Sequence, residues 1–349
     1  MAGAFQTLDP RDLLISNENV TNTVWLNNSP TLNAYFTSSV QVASTTGQFY
    51  YNIFAGSAAT GSVQFAIAYC DADGSGSLAY NPNVVGLSPT RTNYGQYRSL
   101  VVGDEGNSFV FGNQSASYFY ALPIERSGYK EELLPGTMTL CISGSLGSPV
   151  EHLFLTDDSR LGGAAQFTEA GRVYNLVSGS AGNVYTGVSE NGWTASSGSY
   201  GWFMPDIGTL LLNGPALDGT YADGGIALGT LRTTNAAVNN PQKLFSRLNK
   251  GASGFTNAGW TLNSNEQLSS DFVFVRARSD EFNYSTNPSF ISGSTGAVLF
   301  DSFINDPQVY ITSVGLYNNN QELVAVAKLS RPLSKDFTKE LLVRIKLDF

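Results

Sequence analysis

The last ten residues, 340–349 (ELLVRIKLDF), constrain this chain more than any other stretch. Leu341, Val343, Ile345, Leu347 and Phe349 alternate with Leu342, Arg344, Lys346 and Asp348. Successive side chains of a strand point to opposite faces, so the pattern predicts a half-buried strand running to the last residue. Segments 308–317 (QVYITSVGLY) and 322–329 (ELVAVAKL) are also strand-like. Between them lie Asn318, Asn319, Asn320 and Gln321. Asn tolerates positive φ, so this polar run reads as a hairpin turn. In 271–278, Val273, Val275 and Ala277 oppose Phe272, Phe274, Arg276 and Arg278. The stretch 271–349 therefore reads as a β domain, with Phe349 tucked into a core or an interface.

The rest of the chain points the same way. Charged residues make up only 13% of the 349, against a typical ~25%. With 36 Gly, 17 Tyr and 21 Phe, this composition suits strands and turns better than helices. Strands are expected over 31–69, at 108–113, 117–125 and 137–143, and then at 151–155, 171–178, 183–188 and 207–213. Segment 93–102 (NYGQYRSLVV) fits a short helix or a strand. The best helix candidate is 241–250 (PQKLFSRLNK), with Pro241 at its start and Leu244, Phe245 and Leu248 on one face. The expected fold is all-β: antiparallel sandwich or jelly-roll-like sheets, a β-rich insertion and very little helix. Four regions follow: an extended N-terminal arm (1–30) centred on Trp25, a first β part (31–142), a Gly/Ser-rich β region read as an insertion (143–240), and a C-terminal β domain (241–349). Heptads, collagen-like periodicity and other fixed repeats are missing.

Several functions are excluded or left without support. Net charge is −9 and the 19 Lys and Arg are scattered, which argues against nucleic acid and anionic membranes as partners. No apolar run is long enough for a spanning helix. The start, MAGAFQTLDPRDLLISNENV, has no basic segment followed by an apolar one, so no signal peptide is expected. Without export, the alternating C-terminus does not read as an outer-membrane barrel. Cys70 and Cys141 each sit in a strand-like run and read as buried thiols, with a disulfide between them left open.

The sole histidine, His152, would have to serve any catalytic triad, and no nucleophile elbow accompanies it. Asp71, Asp73, Gly74 and Gly76 resemble the opening of a calcium loop, but Pro82 stands where the closing acidic ligand belongs. Acidic residues such as Asp157, Asp158, Asp206, Asp218, Asp223, Glu266, Asp280 and Glu281 offer no specific glycosidase spacing. No catalytic residue, metal site or cofactor is expected. Tyr185, Trp193, Tyr200, Trp202 and Phe203 cluster in the Gly/Ser-rich region. They form either part of the core or a sugar-stacking surface.

A resemblance goes further than the residues alone. Stretches 281–290 (EFNYSTNPSF) and 308–333, with FQTLDPRDLLIS, TVWLNNSPTL, AYFTSSVQV, SPTRTNYGQYRSL and GRVYNLVSGS, resemble structural proteins of contractile-tailed phages, especially T-even-type cyanophages. The likeness covers most of the chain and is weakest over 190–260. The hairpin VGLYNNNQELVAVAKLSRP also resembles an element of tail-fibre proteins that dock on a baseplate. What the resemblance implies is a non-enzymatic virion component, in the tail, baseplate or neck, assembled in the host cytoplasm. Its partners would be other virion proteins and further copies of itself around a symmetry axis. Two alternatives stand beside it: a capsid decoration or head-associated protein, and a receptor-binding fibre protein that touches host glycans. The residues singled out for interaction are Trp25, Tyr317, Asn318, Asn319, Asn320, Arg331 and Phe349. Tyr185, Trp193, Tyr200 and Trp202 are singled out for glycan contact.

Overall fold

A computed structural model describes residues 5–26, 28, 30, 34–36, 50–55, 61–74, 76, 90–144, 152–185, 199–232, 240–249, 259–285 and 289–348. In chain order the first strands are β1 (Leu13–Thr23), β2 (Ala34–Phe36), β3 (Tyr50–Phe54), β4 (Val63–Asp71), β5 (Phe109–Phe111), β6 (Gln114–Ala116), β7 (Tyr118–Pro123), β8 (Glu132–Leu133), β9 (Thr139–Ser143) and β10 (His152–Asp157). They continue as β11 (Gln166–Thr168), β12 (Gly171–Ser180), β13 (Asn183–Val184), β14 (Gly201–Met204), β15 (Thr209–Asn213), β16 (Trp260–Thr261), β17 (Asn263–Ala277), β18 (Val309–Tyr317), β19 (Leu323–Lys335) and β20 (Leu341–Asp348). Helices are few and short: α1 (Thr90–Tyr97), α2 (Gly214–Asp218), α3 (Asn240–Asn249) and α4 (Asp301–Asn305). The fold is antiparallel β with little helix, as the sequence predicts.

The chain divides into two compact units, one of residues 1–19 with 267–349 and the other of residues 20–266. These divisions fall elsewhere than the expected boundaries near 30, 142 and 240. The larger unit holds a 12-stranded sheet in the order β16-β9-β10-β12-β14-β15-β7-β4-β3-β2, with β11 and β13 attached to β12. Strands from 143–240 sit in the middle of this sheet, between β9 and β7. The Gly/Ser-rich region is thus no separate layer. Its strands bury both faces and need partners on both edges.

Alternation along these strands feeds two cores. Tyr69, Tyr120, Leu122, Phe203, Leu210 and Leu212 belong to one cluster, together with Leu217 of α2 and Leu244 and Leu248 of α3. Their strand neighbours Cys70, Phe119, Ala121, Trp202, Met204 and Leu211 belong to a second, with Tyr94 of α1, Val101, Phe109 and Phe111. Neighbours along a strand face opposite ways, so the sheet is covered on both sides. That is why β15 (TLLLN) is buried at every position. At Gly201 (φ +146) a Cβ would overlap the Leu211 carbonyl of the adjacent strand, so only glycine lets β14 and β15 approach here.

Local expectations fare differently. Helix α3 lies where Pro241 and the Leu244, Phe245, Leu248 face place it. Segment 93–102 is helical, α1 passing into a π-turn at Arg98–Val102. Part of the expected N-terminal arm, Leu13–Thr23, is a strand: β1 pairs with β17. Pattern reading misses β1 because none of its side chains is buried; its backbone ladder is what orders it.

The smaller unit is built differently. Strands β1, β17 and β20 form one sheet, and β18 with β19 forms a separate two-stranded ladder. Val273 faces Ile345 and Val275 faces Val343 across β17 and β20. Val273, Val343 and Ile345 form a small core, against which Val314, Leu316, Ala327, Leu329 and Leu333 pack partly buried. Lys335 is fully buried. Its Nζ donates to the Ser279 carbonyl (3.0 Å), to Asn283 Oδ1 (2.6 Å) and to the Asp336 carbonyl (2.9 Å), using all three protons and pinning the loop after β17.

Candidate interaction surface

The smaller unit leaves an unusual amount of apolar surface in water. Of 24 large apolar side chains exposed among the described residues, 17 belong to it, although it is less than a third of the chain. Among the described residues its buried hydrophobic side chains number four: Val273, Ala277, Val343 and Ile345. Monomeric proteins scatter exposed apolar residues singly, whereas contiguous patches mark interaction sites. Here several of them line one groove of about 830 Å³. One wall is β18; the others come from residues 5–8, the ends of β17 and β20, and Phe282, Tyr284 and Ser285. Phe5 and Tyr317 meet edge to face at 4.9 Å along it. Phe282 has φ +52, a region that bulky side chains rarely occupy, yet its ring is partly exposed in this groove.

Tyr317, Asn318 and Asn319 of the predicted turn line the same groove. Asn318 Oδ1 accepts the backbone N–H groups of Asn320 (3.0 Å) and Glu322 (2.9 Å), while its Nδ2 donates to Glu322 Oε2 (2.8 Å). The left-handed residue is Gln321 (φ +63) and none of the three Asn. The Asn318 side chain takes over the capping that an Asn-Gly turn does with backbone alone. Arg331 is an exposed residue of β19. Phe349 and Trp193 lie outside the described residues.

The other expected contact residues are placed differently. Trp25 is buried in the larger unit, 4.8 Å from the ring of Trp260, so it serves its own chain's core and not a neighbour's. Tyr200 is fully buried and donates to the Gly224 carbonyl at 2.7 Å. Trp202 is buried too, with Phe111 5.0 Å away. Their clustering in the sequence reflects core positions in β14 and immediately before it, so they offer no sugar-stacking face. Tyr185 remains exposed.

Most of the candidate acids are held by partners of their own. Asp157 accepts from the Gly136 N–H and Asp158 from Asn175, while Asp218 accepts from Tyr118 and Thr230. Asp206 pairs with Arg172, and Glu266 with Lys130. Burial alone would raise the Asp206 carboxyl, but the hydrogen bonds and charge of Arg172 hold it below the ordinary range. Burial raises Asp158. In the loop that resembles a calcium site, Arg232 donates Nη2 to Asp71 Oδ1 (2.7 Å) and to Asp73 Oδ2 (2.6 Å), so a guanidinium holds both acids. Among the described residues no three His, Cys, Asp or Glu side chains are grouped to hold a metal ion. His152 Nδ1 lies 3.3 Å from Ser143 Oγ. Cys70 and Cys141 are buried and form no disulfide. Burial pushes the Cys70 thiol well above its usual range, which makes it unreactive. Among the described residues no helix is long and apolar enough to cross a membrane.

The fold and this surface define an antiparallel β protein of two units, the smaller with a thin core and an apolar exterior. Comparison with protein-family models, with curated proteins and with solved structures gives no match.

Proposed function

We propose that this protein is a non-enzymatic structural component of a tailed-phage virion, in the tail, baseplate or neck, acting through subunit–subunit contacts. One observation carries the assembly part: the smaller unit leaves 17 large apolar side chains exposed around a small core. A surface of this kind is stable in water when something covers it. Engagement of most of the candidate acids by structural partners supports a role without catalysis. The phage part rests on the stretches quoted above, among them EFNYSTNPSF and VGLYNNNQELVAVAKLSRP.

Quantitative mass spectrometry of purified particles tests the reading. The chain is expected in the particle at tens of copies or fewer, and in the tail fraction after heads and tails are separated. Hundreds of copies retained on heads would favour capsid decoration. Absence from particles would end the virion reading.

A further inference from the structure

We propose that the free edge of β18 pairs with the same edge of a second copy of this chain, antiparallel across a two-fold axis. The proposal deepens the assembly reading above and rests on it. An unpaired strand edge templates association unless it carries charges, proline or a cover. Among the described residues, each of β1, β18, β19 and β20 has a strand partner on only one side within the smaller unit. Three of them carry such devices: Glu18 on β1, Lys328, Arg331 and Pro332 on β19, and Arg344, Lys346 and Asp348 on β20. Strand β18 (VYITSVGLY) carries no charge and no proline, and its irregularities are the register shifts against β19 between Ile311 and Ser313 and between Leu316 and Tyr317. The apolar groove runs along this strand.

Three features favour a second copy as the occupant. The first is area. Phe5, Phe282, Tyr284, Tyr310 and Tyr317 line the groove about half exposed. At roughly 150–250 Å² per ring they leave on the order of 400–650 Å² of aromatic surface. One side of a stable interface buries ~800 Å². The second is charge. Residues 1–19 and 267–349 together contain twelve acidic and nine basic side chains, a net −3 of the whole chain's −9, so two copies meeting through this unit face only part of the chain's repulsion. The third is register. Residues Val309, Ile311, Val314 and Leu316 are half-buried, and Tyr310, Thr312, Gly315 and Tyr317 exposed, the alternation switching at Thr312 and Ser313. Directly opposed residues of an antiparallel pair share a face. An axis between Ser313 and Val314 sets Tyr310 of one copy opposite Tyr317 of the other, Ile311 opposite Leu316 and Thr312 opposite Gly315. Tyr310, Thr312, Gly315 and Tyr317 then meet exposed partners, and only at the axis itself does an exposed residue, Ser313, oppose a half-buried one, Val314.

The purified full chain tests this by native mass spectrometry and light scattering at micromolar concentration. The wild type is expected to be a dimer. Placing charge on the edge with Thr312→Lys and Ser313→Lys together is expected to weaken dimerisation at least tenfold, with the circular dichroism spectrum unchanged. Separately, Ser313→Cys sits beside the axis and is expected to oxidise to a covalent dimer, since buried Cys70 and Cys141 stay unreactive. The virion reading is judged on particle content, so the two can fail apart. A monomeric wild type, a dimer indifferent to the two lysines, or Ser313→Cys that stays uncrosslinked while the dimer forms would overturn the pairing.

Discussion

The two units of this chain use the same secondary structure to opposite ends. In the larger, β14 and β15 are buried at every position, and their sheet is covered on both faces. In the smaller, β18 and β19 alternate between half-buried and exposed, and even the exposed face is apolar in places, with Tyr310, Leu323, Val324 and Val326 in solvent. A strand covered twice must be apolar throughout, whereas a strand covered once needs apolar residues only at alternate positions. Apolar residues beyond that requirement are surplus to the fold of the single chain. They are the ground on which the interface is proposed.

Removing 340–349 is the harshest test of this difference. It deletes Val343 and Ile345, two of the three buried residues of the small core. The smaller unit is expected to unfold and incorporation into particles to stop, while limited proteolysis still yields a resistant fragment near 20–266. A truncated chain that incorporates normally would show the strand to be dispensable. Next comes Phe203→Ala, which empties a fully buried site in the larger unit. It should cost about 3–5 kcal/mol in urea denaturation. Lys335→Met strands the Asn283 amide oxygen, while the Ser279 carbonyl keeps the Asn283 Nδ2 donor, and a loss of about 1–3 kcal/mol is expected. Hydrogen exchange should localise that loss to 279–284.

The pH response should follow the larger unit. Asp206 is held below its ordinary value, so it binds protons more weakly in the folded chain than in the unfolded one. Its contribution is complete above the ordinary carboxylate range and is lost as pH falls through that range and below it. Urea midpoints of wild type should therefore drop on acidification, and Asp206→Asn should flatten that acid limb. Asp158, raised by burial, works in the opposite sense: its contribution weakens as pH rises through its range. The smallest effect belongs to Tyr310→Ser. This exposed ring should change the stability of the isolated chain by no more than about 0.5 kcal/mol. If its loss destabilises the chain by several times that, the ring belongs to the fold and the contrast between the units fails.

Legibility in the sequence tracks how local each cause is. The strict alternation of 340–349, the Pro241 start of α3 and the polar turn after Tyr317 were all readable because period, capping and turn chemistry act over a few residues. Strand β1 was not, since its order comes from pairing with β17, some 250 residues away. Nor were the environments of Trp25, Tyr200 and Trp202. An aromatic residue reads the same in a core and on a binding face until its covering layer is known.

By itself, then, the sequence determined the β class, the small C-terminal core and the absence of charge from β18. These are properties of residue type and spacing along one segment. Only the tertiary structure decided which strand edges are left unpaired, which apolar residues find no cover within the chain, and that the uncharged strand borders the groove. Those depend on how distant segments satisfy one another's hydrogen bonds and surfaces, and no local pattern records that.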